Sequence, residues 1–506
     1  MWGLLSLGAF LLWVFYKYAT WTFDRFKGTN VPYMKPVALI GNSLKFLLKQ
    51  EDMIESIGKP YTKFPRARFV GIFQMRLPSI MIRDPELIRQ VAVKDFDSFT
   101  NHRPFVDPAL EPLFGSSLFL LKDQKWRDMR STLSPAFTGS KMRLMYEFII
   151  ECAEQLTDHS HEEVEKKGTL DLEVKDLVTK YANDVIASSA SSAFGIKVDT
   201  LKNPDNIFYK MGRKVSNFSG FWVSLKFFAF LLIPHIMRVL RITLLDQDCG
   251  KFFRTLVHDT MDEREKKGIV RPDMINLLMQ AKIGGLKHEV DVDESSGFAT
   301  VTESSITKSS THKRVWSDDE ITGQAMIFFL AGFESISTSI CFVAYELAIN
   351  PDVQKTLQDE IDAVCVELEQ SNQKLVDYER LHKMKYLDMV ISGEKGEALM
   401  IPIYNIHHDE QYYENPHKFD PDRFSEENKQ NIKPFTYMPF GVGPRNCIGS
   451  RFALMEMKAL LFNILKEFDI VPSEKTQIPL KLSRNSIQMR PEKGFWMKLK
   501  PRKMRN

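Results

Sequence analysis

The chain has 506 residues, 44% hydrophobic and 26% charged, which is ordinary globular usage and excludes a mainly disordered, collagen-like or disulfide-scaffold protein. Its net charge of +3, from 68 basic and 65 acidic side chains, is too small to argue for nucleic acid. Five widely spaced cysteines without a CxxC pair argue against a disulfide framework and a structural zinc site and fit a reducing compartment. Length alone leaves room for two to four domains. The 37 phenylalanines suit a large apolar interior or pocket.

In chain order, the first feature is a charge-free apolar run from Trp2 to Tyr16, extended past Lys17 to Phe23. A span needs about 20 residues, so 2–23 can just cross a bilayer. Lys17, Arg25 and Lys27 lie on its C-terminal side, and bulky Tyr18, Trp21 and Phe23 occupy the place of a cleavage site. This reads as an uncleaved anchor over residues 1–24 rather than a signal peptide, with the body on the cytosolic side by the positive-inside rule. Pro32 and Pro36 mark a stiff exit. Strand-like runs follow at 67–83, and helical patterning dominates 140–282 and 317–391, with a further strand-like run at 397–403. The fold class is mainly α with a minor β part.

A second apolar stretch, Phe218 to Ile233, is broken by Lys226. It can dip into a membrane surface, line an apolar pocket or be a buried core helix. Asn217-Phe218-Ser219 is a formal glycosylation sequon, silent in a cytosolic body. Residues 284–316 read as a polar, mobile surface loop rich in Ser and Thr. Ser317 and Glu320 then make a capping box that starts a helix running to Ala348. Within it, Glu334 is the only charged residue between Ile321 and Tyr345. Burying it alone is costly. It is either a polar notch for a ligand or proton path beside Ala331-Gly332, or an acid paired with a distant Lys or Arg.

Phe440 to Gly449, FGVGPRNCIG, carries two glycines that permit left-handed turns and close approach before Cys447. An amphipathic helix from Ile448 to about Phe468 would place Cys447 at a helix N-terminus, where the dipole and Arg445 favour a thiolate. Such a thiolate can be an axial haem ligand; an ordinary buried cysteine in a turn is the alternative. The C-terminal tail, 490–506, holds seven basic residues and one Glu, so it is +6 on a body of −3. It reads as a solvated end or a contact for acidic lipid or an acidic partner.

The decamer F-x-x-G-x-R-x-C-x-G resembles the haem-binding loop of the cytochrome P450 family, and the resemblance covers nearly the whole chain. Trp126 and Arg130 match the family's W-x-x-x-R helix, and AGFES at 331–335 matches its oxygen-binding helix. Phe419 to Phe424 looks like its P-E-R-F segment. The anchor, the proline hinge and LSPAFT at 133–138 look like a microsomal, insect-type member of the clan that metabolises xenobiotics. The resemblance implies a single haem domain over 25–506 and haem b (iron protoporphyrin IX) with Cys447 as axial thiolate. It further implies Trp126, Arg130, Arg445 and His102 at the propionates, Phe440 in the binding loop, Gly332 making room for oxygen, and Glu334 and Ser335 relaying protons. Ser335 stands where the family usually has Thr. Apolar small molecules would be the substrates and NADPH-cytochrome P450 reductase the electron donor, with cytochrome b5 as a further partner. The endoplasmic reticulum membrane would hold the anchor.

One departure stands out. The family's E-x-x-R is expected directly after HKMKYLDMVIS, residues 382–392, and does not appear. The chain passes through Gly393-Glu394-Lys395-Gly396 into a segment normally found well downstream. The only E-x-x-R, Glu86 to Arg89, lies far upstream. A skipped exon or mis-joined gene model would give this pattern. It would leave Arg423 without its buried partners and open sheet edges. Two functional readings follow: a membrane-anchored haem-thiolate monooxygenase, or a haem-deficient, non-catalytic variant or apolar-ligand binder of the same family. An anchored helical scaffold without haem is disfavoured by the cysteine loop.

Overall fold

The computed structural model describes residues 2–103, 106, 108–191, 199–216, 221–243, 245–270, 274–282, 315–392, 400–486 and 488–502. The sequon at 217–219, loop residues 284–314 and the segment at 393–399 lie outside these.

Helix α1 (Trp2–Thr20) leaves nearly all of its apolar side chains exposed. Its C-terminal end is fastened to the body. Arg76 donates to the Tyr18 carbonyl at 3.0 Å and stacks 3.8 Å from its ring, and Leu39 N–H donates to the Ala19 carbonyl. The stiff proline exit then lies against a hairpin, with Gly71 N–H donating to the Pro32 carbonyl. That hairpin is β1 (Phe69–Gln74) and β2 (Leu77–Ile82), paired antiparallel from Phe69↔Ile82 to Gln74↔Leu77.

Helix α2 (Asp123–Leu133) precedes the long α3 (Gly139–Lys167). Met142, Met145, Tyr146, Ile149, Ala153, Leu156 and Val164 recur at three- and four-residue spacing along α3 and are buried. Gly168, at φ +76°, stops it. Strand β3 (Leu170–Glu173) leads into α4 (Val174–Ser191), then α5 (Ile207–Ser216), α6 (Phe221–Leu232), α7 (Pro234–Val239) and α8 (Gln247–Lys267). The predicted capping box starts α9 (Asp318–Ile349): Ser317 Oγ accepts from Glu320 N–H, and Glu320 accepts from Ser317 N–H at 3.0 Å. Two more helices follow, α10 (Pro351–Gln370) and α11 (Lys385–Ser392). The cysteine loop then leads into α12 (Ser450–Glu467), β4 (Phe468–Pro472) and β5 (Trp496–Pro501). The main core lies between α3, α4, the second half of α9, α10 and α12. The sheet β3-β5-β4, antiparallel throughout, closes its edge.

Several expectations change. The run at 397–403 is not a strand in its described part: 400–402 is irregular and a short helix occupies Ile403–His407. The polar loop does not extend to 316, because Trp316 is 1% exposed in a cluster with Trp126 and Ile321. The described part of the run Phe218 to Ile233 is not a fully buried core helix: Phe230 is buried, but Trp222 is 73% exposed and Leu225 48%, and the following α7 exposes Val239. The basic tail is not simply solvated. Strand β5 is the central strand of its sheet, Arg490 pairs with Glu334, and Arg502 pairs with Asp362. Many phenylalanines fill core rather than open space: Phe252, Phe253, Phe329 and Phe333 form a continuous aromatic row between α8 and α9.

Helices α11 and α12 are joined by a buried ion pair, Lys458 to Asp388 at 2.9 Å, with Lys458 only 3% exposed. Removing one partner of such a pair leaves a buried charge and costs about 3–5 kcal/mol. Lys458→Met should therefore lower stability by that order in urea denaturation. Lys458→Met combined with Asp388→Leu should recover most of it, and equal losses in the two variants would contradict this account.

Candidate active site

Glycines build the cysteine loop. Gly441 and Gly443 both sit at φ +74°, and a Cβ on Gly443 would lie 2.0 Å from the Ala92 carbonyl oxygen. The loop closes where Cys447 N–H donates to the Phe440 carbonyl at 2.9 Å. Helix α12 begins at Ser450, two residues later than expected, so Cys447 precedes it by three residues. The thiol is exposed to solvent-sized space. Even so, burial by the surrounding protein pushes it above its ordinary value. The sulfur is thus reachable while the surrounding protein still desolvates it. Gly449 N–H and Arg130 pull the thiol down without prevailing, so the expected thiolate is not secured by the helix end, and the cation acting on it is Arg130 rather than Arg445. Metal coordination would supply the missing charge and release the proton.

Helix α9 packs close to this loop. In a helix that is otherwise largely buried, Ala331 and Ser335 are exposed four residues apart. The helix meets the cysteine loop through Phe137, whose ring is edge-on to Phe328 at 5.4 Å, and whose edge lies 3.7 Å from where a Cβ on Gly449 would be. Gly332–Ile336 forms a π turn, a widening common at functional sites. Ser335 Oγ bonds back to the Ala331 carbonyl at 2.6 Å. Glu334 turns the other way and pairs with Lys175 and Arg490 at 3.3 and 3.1 Å. Glu334 and Ser335 are therefore not hydrogen-bonded to each other. The acid has the distant basic partners that one sequence reading required. The Cβ direction of Gly332 points at Ile186 of α4, whose Cδ1 would lie 2.7 Å away, so the glycine sits where α9 packs closely on α4.

The four residues expected at the propionates do come together beside Cys447. Arg130 donates to the Asn446 carbonyl and amide oxygen at 2.8 and 2.6 Å. Arg445 stacks 4.2 Å from the Trp126 ring and donates to the carbonyls of Thr100 and Leu121 at 2.9 and 2.7 Å. It meets no carboxylate at ion-pair distance among the described residues. Burial, with Arg130 nearby, pushes its guanidinium down to about 9. His102 Nδ1 lies 3.1 Å from the Phe119 carbonyl, and its basicity is lowered by burial and by Arg445. The indole N–H of Trp126, a donor only, has no acceptor among the described residues.

Sequence reasoning missed Gln324. Fully buried in α9, it accepts from Leu118 N–H at 2.7 Å and donates to the Ser116 carbonyl at 2.6 Å. It clamps 116–121 against α9, and Arg445 holds the other side of the same segment. A lone amide in an apolar helix was the available signal.

These features fit haem b. The thiol and the small α9 side chains would face the flat macrocycle, and a desolvated cation with a free indole donor would meet its propionates. The comparisons agree. The cytochrome P450 family model matches residues 31–392 and 394–498. The chain belongs to the cytochrome P450 family. It is 43% identical to cytochrome P450 9e2 of Blattella germanica over 99% of each chain. It is 40% identical to probable cytochrome P450 9f2 of Drosophila melanogaster, again over 99% of each. Similarity extends to cytochrome P450 3A41 of Mus musculus, 34% identical over 99% of this chain and 96% of the relative. As an insect-type P450 it is a member of a family of haem-thiolate monooxygenases whose cofactor is haem b.

The P450 match breaks at residue 393, where the E-x-x-R was expected. The alignment to cytochrome P450 9e2 spans 550 positions, so a chain of 506 residues leaves at least 44 of them empty. Among the described residues β2 pairs only with β1, apart from Ile82 N–H donating to the Met400 carbonyl at 3.1 Å. Arg423 is not left bare as expected. It donates to the Asn415 carbonyl at 2.7 Å and lies 3.8 Å from Asp420, both local substitutes. The upstream Glu86–Arg89 motif makes only a local pair at the surface.

Gly443→Ala should destabilise the loop, because it combines a strained positive φ with a backbone clash; such strain costs of order 1–3 kcal/mol. A fall in melting temperature with loss of haem retention checks this, and an unchanged melting curve would refute the crowding argument.

Proposed function

We propose that this chain is built as a membrane-anchored haem-thiolate monooxygenase for apolar small molecules, both xenobiotics and endogenous lipophiles. The observation that carries the reading is Cys447: accessible, desolvated, and joined through the Phe137 ring to α9, which exposes Ala331 and Ser335. Bound haem would supply the iron that activates dioxygen. Cys447 Sγ would ligate it, with Phe440 closing the loop behind. Trp126 and Arg445 would bind propionate oxygens, and His102 and Arg130 would support that edge, Arg130 through Asn446. Ser335 would present its hydroxyl to the cavity, and Glu334 would exchange protons from the far side of the π turn. Electrons would come from NADPH-cytochrome P450 reductase, with cytochrome b5 as a second partner. The apolar exposure of α1 supports anchoring in the endoplasmic reticulum membrane with the body in the cytosol, and the exposed face of α6–α7 supports a further contact with that membrane.

A second reading has its own support. The break at 393 and the missing alignment positions favour a chain that lacks part of its haem-supporting core. In that reading it is a haem-deficient variant or an apolar-ligand binder. The reduced, carbon-monoxide-treated protein separates the two. We expect a thiolate-type Soret band well below one haem per chain, and full occupancy once the absent segment is inserted between 392 and 400 from the cockroach relative. A full band without the insertion would sink the second reading. No band even with it would sink the first. Cys447→Ser should abolish the band in the restored chain.

A further inference from the structure

The ion pairs of Glu334 are lopsided. Lys175 Nζ at 3.3 Å, Arg490 Nη2 at 3.1 Å and Thr338 Oγ1 at 3.5 Å all approach Oε1. Oε2 has no hydrogen bond among the described residues. The two cations are also unlike. Lys175, from the start of α4, is locked: it also donates to Ser337 Oγ and Thr338 Oγ1, both at 2.7 Å, and to the Glu334 carbonyl at 3.3 Å. Arg490 arrives from a distant part of the chain, the hairpin-like turn closed by Ser483 N–H to the Arg490 carbonyl at 2.7 Å and Glu492 N–H to the Lys481 carbonyl at 2.8 Å. Its Nε is buried without a partner. The same turn reaches α5, where Gln488 Nε2 donates to the Ser216 carbonyl at 3.1 Å. Helix α5 in turn lies directly on the π turn: a Cβ on Gly212 would be 2.5 Å from the Phe333 ring.

Resting on the functional reading above, we propose that Arg490 is a positioning residue for Glu334. Through it the C-terminal turn, itself fastened to α5, decides which carboxylate oxygen is anchored and which stays free for proton exchange. Lys175 alone leaves the carboxylate free to rotate, because one point charge does not choose between equivalent oxygens. A second cation from another direction removes that freedom. Oε2 can then take a proton from water and give it up again, with no net change in the protein. A shift of α5 would pull on Gln488, loosen Arg490 and release the carboxylate, so the turn couples α5 to the proton path.

The test uses the full chain with Arg490→Gln, Arg490→Lys and Gln488→Ala. Hydrogen exchange needs neither haem nor turnover. Amides 334–338 should exchange at least ten-fold faster in Arg490→Gln, amides of α3 should not change, and Arg490→Lys should restore most of the protection. Gln488→Ala should loosen both 334–338 and the end of α5. In haem-loaded protein with reductase, Arg490→Gln should release several-fold more hydrogen peroxide per NADPH and show a larger solvent isotope effect, with KM within two-fold. Equal exchange in Arg490→Gln and the parent chain would overturn the proposal. So would a parallel loss in kcat and KM at unchanged peroxide yield, which is what mere structural damage gives. Failure of the parent chain to bind haem would count against the functional reading alone, since the exchange result stands without it.

Discussion

The cysteine loop has no slack, and the rest of the site depends on that. Gly443 brings the backbone onto the Ala92 carbonyl, where a side chain cannot follow, and Cys447 closes onto Phe440. The thiol is thereby held in one place before any cofactor contributes. The neighbouring cations are placed by the same rigidity. Arg445 is kept in a desolvated position by backbone carbonyls and an indole ring, with no carboxylate at ion-pair distance among the described residues. A desolvated cation in that state is poised for an anion from outside the chain. Under the proposed function, the haem propionates would meet that need.

The opposing helix solves a different problem. It must be apolar enough to cross the core yet open and polar at one point. The π turn at Gly332–Ile336 provides the opening, leaving Ser335 exposed while Glu334 pairs with Lys175. The cost of one carboxylate in an apolar helix is offset by Lys175 and Arg490, both far away in sequence. Gly332 lies where α9 packs closely on Ile186 of α4.

The break in the family match at residue 393 lies far from the cysteine loop in sequence. Helices α11 and α12 remain joined by the Lys458–Asp388 pair, and Arg423 has settled on local partners. Among the described residues, however, strand β2 ends the sheet with a mostly unpaired edge. The residues around Cys447 thus stand together in a chain whose family match is interrupted at residue 393.

By itself, the sequence determined the fold class and the family, and it singled out Cys447 and the break after Ser392 as expectations. Each rests on local pattern: the spacing of FGVGPRNCIG, the Ser317–Glu320 cap, the three- and four-residue periodicity of α3, the run that stops at Ser392. Only the tertiary structure decided what depends on contacts between distant residues. It exposed α6–α7, whose composition suited core, pocket and membrane equally well. It drew the basic tail into a central strand, and gave Glu334 partners 159 and 156 residues away. It also revealed Gln324 as the clamp between α9 and the segment that Arg445 holds. Local pattern is written in neighbours along the chain, whereas the pairing of a buried charge depends on which surfaces meet after folding.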